Sequence, residues 1–208
     1  MRDRGEGTTS GGGQPPQAGA MTAESQGTLR FERAADLFSA YPEIAEDMDA
    51  LPDPEIGTLD FLDSLVRSPT PEEAITLAAH ALARRYSVWW GHECLRHLDA
   101  QIDDTDRSML AHAARWVGEP SEANRVAAQT AAMAAPAKTP GVWIALGAAW
   151  SGGSLGPPGL PAVPPSRVLT GRAVNAGVLS VLARVDQSSR ARVLAGFVQM
   201  ARVLARQS

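Results

Sequence analysis

The stretch Trp150-Ser151-Gly152-Gly153-Ser154-Leu155-Gly156-Pro157-Pro158-Gly159-Leu160-Pro161-Ala162-Val163-Pro164-Pro165 decides the fold class, because it carries the pattern Gly-x-Ser-x-Gly at Gly152, Ser154 and Gly156. In a serine hydrolase that pattern is a tight turn from a strand into a helix, followed later in the chain by an acid and then a histidine. Neither condition is met. Residues 142–150 read as helix, the residues after Gly156 are proline-rich, and the last histidine is His112, upstream, leaving only Asp186 after Ser154. Ser154 is therefore read as a loop residue, with no catalytic residue assigned. Gly152 and Gly153 end a helix and let the chain turn, and residues 157–165 form a stiff connector with Leu155, Leu160 and Val163 expected against the core.

Outward from this turn the chain reads as helices. Upstream, Phe31, Ala34, Ala35 and Phe38 recur at helical spacing over about 32–40, and Tyr41-Pro42 closes that segment. The acidic residues 43–57 read mostly as loop, with a short helix around Leu59 to Val66. Thr70, Pro71 and Glu73 have the form of a capping box and predict a helix to about Leu82. Further helices are predicted over about 86–99, 106–117 (opened by Asp104-Thr105-Asp106), 121–134 (Ser121) and 140–150 (Thr139-Pro140). Two more cover about 171–184 (Thr170) and 188–205. The sequence leaves open whether the helices before and after Ala83-Arg84-Arg85 are continuous. No segment alternates with period two between turn dipeptides. The expected fold is all-α: an irregular bundle of antiparallel helix pairs, with the proline-rich connector before the last two helices. Residues 1–27, rich in Gly, Ser and Pro, read as a disordered tail in which Met21 is a plausible start, and residues 28–208 as one helical domain.

The chain has 208 residues, of which 44% are hydrophobic, enough to bury one ordinary core. Its single cysteine, Cys94, permits no intramolecular disulfide and fits a reducing compartment. No apolar run spans a membrane and no apolar segment occurs near the first residues, so a cytoplasmic protein is expected. The net charge of −4 conceals a polarity. Residues 32–63 hold ten acids against Arg33, a net of −9, whereas residues 167–208 hold seven arginines against Asp186, a net of +6. Packing of the acidic region near the basic helices explains this without a nucleic-acid partner, and the arginines lack interleaved aromatic residues. Lys138 is the only lysine, which reads as a bias of genome composition.

Few residues carry recognisable chemistry. His92-Glu93-Cys94-Leu95-Arg96-His97 resembles a zinc helix, but its histidines lie at i and i+5, about 140° apart on one helix, where chelation needs i and i+4. No metal site is assigned, and Glu93 and His97, on one face, are expected to pair. In Tyr86-Ser87-Val88-Trp89-Trp90, Trp90 sits at the edge of the apolar face and Trp89 nearly opposite it. The simplest reading buries both indoles, whereas an exposed Trp89 makes a partner anchor.

Several words of this sequence recur together in a known group. Arg85-x-x-Val88-Trp89-Trp90 with Cys94-Leu95-Arg96, Ala114-x-Trp116-Val117-x-x-Pro120, Trp150-Ser151-Gly152-Gly153-Ser154 with its following prolines, and Leu169-Thr170-x-x-Ala173-Val174 resemble an uncharacterised helical family of proteobacteria. The resemblance covers roughly residues 29–206. It implies no activity or catalytic residue. Some members look like products of type VI secretion gene clusters, which implies an accessory or scaffolding role.

The expectation is therefore a non-enzymatic, cytoplasmic helical protein that acts on an unknown protein partner, possessing no cofactor because no phosphate loop, dinucleotide fingerprint or metal cluster is present. The alternative is a small-molecule binder or enzyme with a tryptophan-lined pocket between helices. Candidate binding residues on these readings are Trp89, Trp90, Glu93, His97, Trp143, Trp150, Gly152 and Gly153. A deep pocket favours the alternative; an exposed Trp89 or an apolar groove favours the interaction protein.

Overall fold

The computed structural model describes residues 27–156 and 160–206, so the expected tail, Met21 and residues 157–159 of the connector lie outside the described residues. The fold is all-α. The helices are α1 (Ala34–Ala40), α2 (Thr58–Val66), α3 (Glu73–Ala81), α4 (Arg84–His97), α5 (Asp104–Gly118), α6 (Glu122–Ala134), α7 (Pro140–Ala149), α8 (Leu169–Leu182) and α9 (Gln187–Ala205). Among the described residues the only extended pairings are two isolated bridges, Leu29 with Leu82 and Arg33 with Gly57.

α7 is the centre. Val142, Ile144, Ala145, Leu146, Ala148 and Ala149 are buried all around its circumference, and a helix that is apolar on every side must be enclosed. It is enclosed by α4, α5, α6 and α8. The amphipathic α4 contributes Val88, Trp90, Cys94 and Leu95 to the same core, while α9 adds Leu194, Phe197, Val198 and Ala201.

The open question about α3 and α4 is resolved: the chain breaks at Leu82-Ala83, both extended. The Ala83 N–H donates to Thr28 O at 2.8 Å and Arg30 N–H to Ala81 O at 2.8 Å, so the N-terminal segment takes the hydrogen bonds that a continuous helix would use.

Two predicted helix starts differ in how they are capped. Glu73 does not complete a capping box; its carboxylate accepts the N–H groups of Asp49 and Ala50, each at 3.1 Å, and fixes the acidic loop. The N-cap of α5 is Asp103, which accepts the Asp106 N–H at 2.8 Å. Asp106, fully buried, reaches instead to α7, accepting the Gly141 N–H at 2.7 Å, while the Thr139 hydroxyl at that N-cap position makes no hydrogen bond. A carboxylate from a neighbouring helix thus serves a terminus that local sequence cannot satisfy.

The acidic and basic regions meet as expected. Arg172 on α8 binds Asp47 at 2.8 Å and Glu46 at 3.1 Å, and Arg202 on α9 binds Asp63 at 3.1 Å. Beneath Asp47 lies His80 on α3, fully buried, its Nε2 3.6 Å from the carboxylate. Burial, with Arg30 and Arg172 nearby, pushes the His80 pKa below that of a free histidine, though Asp47 opposes this. His80 and Arg172 hold the Asp47 carboxyl below its usual range. A histidine kept neutral by the fold takes up its proton more readily in the unfolded chain. Its contribution to stability is therefore present above about pH 6.5 and is lost as pH falls below that value. The unfolding free energy should decline from about pH 7 to pH 5, by up to about 1.4 kcal/mol per pH unit for each proton involved, and the melting temperature should fall with it. His80→Leu, which cannot titrate, should reduce that slope; an unchanged slope would show that His80 is not its source.

Candidate functional site

The eight candidate residues fall into two separate places. Trp89, Trp90, Glu93 and His97 belong to α4 beside α9; Trp143, Trp150, Gly152 and Gly153 belong to α7 and the turn that follows it.

At the turn, the glycine-rich sequence is explained by arginine. Arg125, almost buried on α6, donates to Ala149 O at 2.8 Å and Gln129 Oε1 at 2.7 Å, and holds both Glu122 oxygens at 2.7 Å, so four of its five N–H groups are used. Arg84 on α4 donates to Ser151 O at 3.0 Å. Two guanidinium groups from different helices thus satisfy the carbonyl-rich end of α7. Gly153 lies flat on the Arg125 guanidinium with φ +65°, and a Cβ there would stand 2.5 Å from Arg125 Nε. Trp150 packs edge-on against Trp143, ring centroids 6.5 Å apart, over a small second core with Ala132, Val142 and Ala173.

Ser154 is part of the same scaffold. Its Oγ accepts the N–H groups of Gly156 at 3.1 Å and Val163 at 3.0 Å, and Leu155 N–H donates to Val163 O at 2.8 Å, folding the connector back on itself. The four histidines sit on α3, α4 and α5. A cleft of about 440 Å³ adjoins Ser154; it is lined by the paired Arg125 and Glu122 and by no histidine. The expected docking of Leu155, Leu160 and Val163 on the core does not occur: Leu160 is 65% exposed and Val163 52%. Hydrogen bonds hold the connector, so its apolar side chains face outward.

At α4, the two adjacent indoles have different fates. Trp90 is 1% exposed and its Nε1–H donates to Phe197 O at 2.9 Å, joining α4 to α9. Trp89 is half-buried and stacks on His92 with ring centroids 5.2 Å apart and planes 14° apart. The expected Glu93–His97 pair is replaced. Glu93 Oε1 lies 2.9 Å from His92 Nδ1 and 3.5 Å from Arg96, while the His97 ring makes a T-shaped contact with Phe197, centroids 6.3 Å apart. Burial lowers the His92 pKa against the opposing pull of Glu93. Burial also pushes the Cys94 thiol well up, leaving it a core side chain rather than a nucleophile.

Around Trp89 the surface is grooved. One depression of about 310 Å³ is lined by Trp89, Trp90, Glu93, Met200, Val203 and Leu204. A second, of about 440 Å³, is lined by Arg85, Tyr86, Trp89, Ala114, Val117 and Leu204. They share Trp89 and Leu204, which makes one open apolar trough between α4, α5 and α9. Its outer side chains are accessible, Val203 at 48% and Tyr86 at 37%. Arg85 is fixed at the edge by donating to Val117 O at 2.7 Å. Met200, Val203 and Leu204 were not among the residues singled out from sequence, because on α9 alone they look like ordinary members of an amphipathic helix.

A family model matches residues 61–205. The chain belongs to DUF6931, a family of unknown function. The DUF6931 match takes in the Trp89 trough and the Arg125-pinned turn and leaves out the N-terminal segment that packs on α3 and α8. No curated protein and no solved structure matches the chain.

Proposed function

We propose that this DUF6931 protein is a non-enzymatic interaction module that receives an apolar segment of a partner protein in the trough around Trp89. The observation that supports this reading is the trough itself. It is open, apolar and built on three packed helices, and at its centre sits an indole that the core covers only in part. Its form suits an amphipathic helix whose apolar side chains straddle Trp89. The alternative of a tryptophan-lined ligand pocket has less support, because Trp90 is sealed in the core and Trp143 and Trp150 pack on each other at another part of the fold.

The reading places the protein in the cytoplasm, resting on the lone, buried Cys94. Among the described residues no helix is long and apolar enough to cross a membrane. The resemblance to proteobacterial products of type VI secretion clusters makes a component of that machinery the first partner to examine, with this chain as an accessory.

Trp89→Ala removes the anchor without touching the core hydrogen bond of Trp90. Loss of a central indole anchor costs about 2 kcal/mol or more, which is about 30-fold in affinity. Affinity capture with this variant should lose the partner while the melting temperature stays within a few degrees of the parent. Undiminished capture by Trp89→Ala would refute the assignment of the surface.

A further inference from the structure

The connector between α7 and α8 carries two apolar residues, each followed by proline, in Leu160-Pro161-Ala162-Val163-Pro164, with Pro165 next. Proline fixes the backbone of most of this run. Each ring holds its own φ at about −65° and pushes the residue before it out of the helical region, which confines Leu160 and Val163 as well. Only Ala162 is left unconstrained, and residues 161–166 run straight, with no helix, turn or bend. These restrictions are met by a polyproline II helix, which repeats every three residues and rises about 3.1 Å per residue.

The edges of that helix have different surroundings. Leu160 and Val163 share one edge and Pro161 and Pro164 a second, and all four are exposed. Ala162 and Pro165 share the third: Pro165 is partly buried, and Ala162, with Leu160, lines the cleft beside α6. The main chain of Val163 is tied down, its N–H donating to Ser154 Oγ at 3.0 Å and its carbonyl accepting the Leu155 N–H at 2.8 Å. We infer that residues 160–164 are a ligand for a partner domain whose groove is walled by aromatic rings and reads polyproline II segments. Such a groove seats apolar–proline pairs between its rings, and Leu160-Pro161 and Val163-Pro164 stand one helical turn, about 9 Å, apart. The confined backbone and its anchor at Ser154 remove ordering cost that a loose peptide incurs on binding. This surface lies beside α6, apart from the Trp89 trough between α4, α5 and α9, and does not depend on it.

Titration of the full chain into a panel of purified SH3 and WW domains should give saturable binding by at least one of them, with a dissociation constant below about 1 mM. Replacing Pro161 and Pro164 together with alanine should weaken that binding at least about tenfold. Leu160→Asp, at an exposed side chain, should do the same without altering the proline content, and circular dichroism should be unchanged in both variants. Ser154→Ala, which frees the Val163 N–H, should weaken binding about threefold, and Trp89→Ala should leave it as it is. Absence of binding by every domain of the panel overturns the inference. So does binding that survives both the double proline replacement and Leu160→Asp, or that disappears in a folded Trp89→Ala protein.

Discussion

Replacing Gly141 with alanine is expected to lower the melting temperature by about 6–12 °C, corresponding to about 3 kcal/mol in a chain of this size. By helix propensity alone the change should help, since alanine is better than glycine by about 1 kcal/mol inside a helix. Packing reverses the sign. A Cβ at Gly141 would stand 2.5 Å from Asp106 O and 2.6 Å from Asp106 Cα, backbone atoms that cannot rotate away. To make room, α5 and α7 must separate, and the Asp106 carboxylate then loses the Gly141 N–H it accepts at 2.7 Å. Gly196→Ala is the internal control: with nothing within 4 Å it should gain about 1 kcal/mol. A thermal melt of the two variants compares them directly, and equal effects would mean that α5 and α7 do not approach as closely as the structure places them.

Gly153→Ala should be the second most damaging of the changes considered. Two costs coincide there. The left-handed backbone at φ +65° disfavours any side chain by about 1–2 kcal/mol, and the new methyl group must displace the Arg125 guanidinium. Moving that guanidinium uncovers Ala149 O and unpairs Glu122, adding about 1–3 kcal/mol. Together these come to about 3 kcal/mol, and chemical denaturation should register the loss. Gly152→Ala, one residue earlier with no neighbour within 4 Å, should change stability by no more than about 0.5 kcal/mol. Comparable losses at both positions would mean that the turn needs glycine for its general flexibility rather than for Arg125.

Much of the helix order could be read from the chain because its signals are local. Ser121 does cap α6, accepting the Asn124 N–H, and Pro140 does open α7. The wheel of α4 already separated Trp90 from Trp89. What stayed hidden is long-range. Arg84, Arg85, Arg125 and Arg190 each donate to carbonyls at the end of a helix or turn other than their own first turn, a capping role that the arginine-rich composition does not reveal. Asp106 and Glu73 look like local N-terminal residues and serve distant backbone. The trough was half legible: Trp89 was identifiable as a possible anchor, but Met200, Val203 and Leu204 meet it only because Trp90 and Phe197 lock α4 to α9.

On the proposed function, the Trp89 face rather than Ser154 is the working surface of the protein. The most direct measurement places a photo-reactive side chain at position 203, in the trough, and separately at position 160, on the exposed connector, in the native host. Adducts formed at 203, lost on Trp89→Ala and retained on Ser154→Ala, are the predicted result. Adducts formed only at 160, or an enzymatic activity that disappears in a correctly folded Ser154→Ala protein, would contradict it.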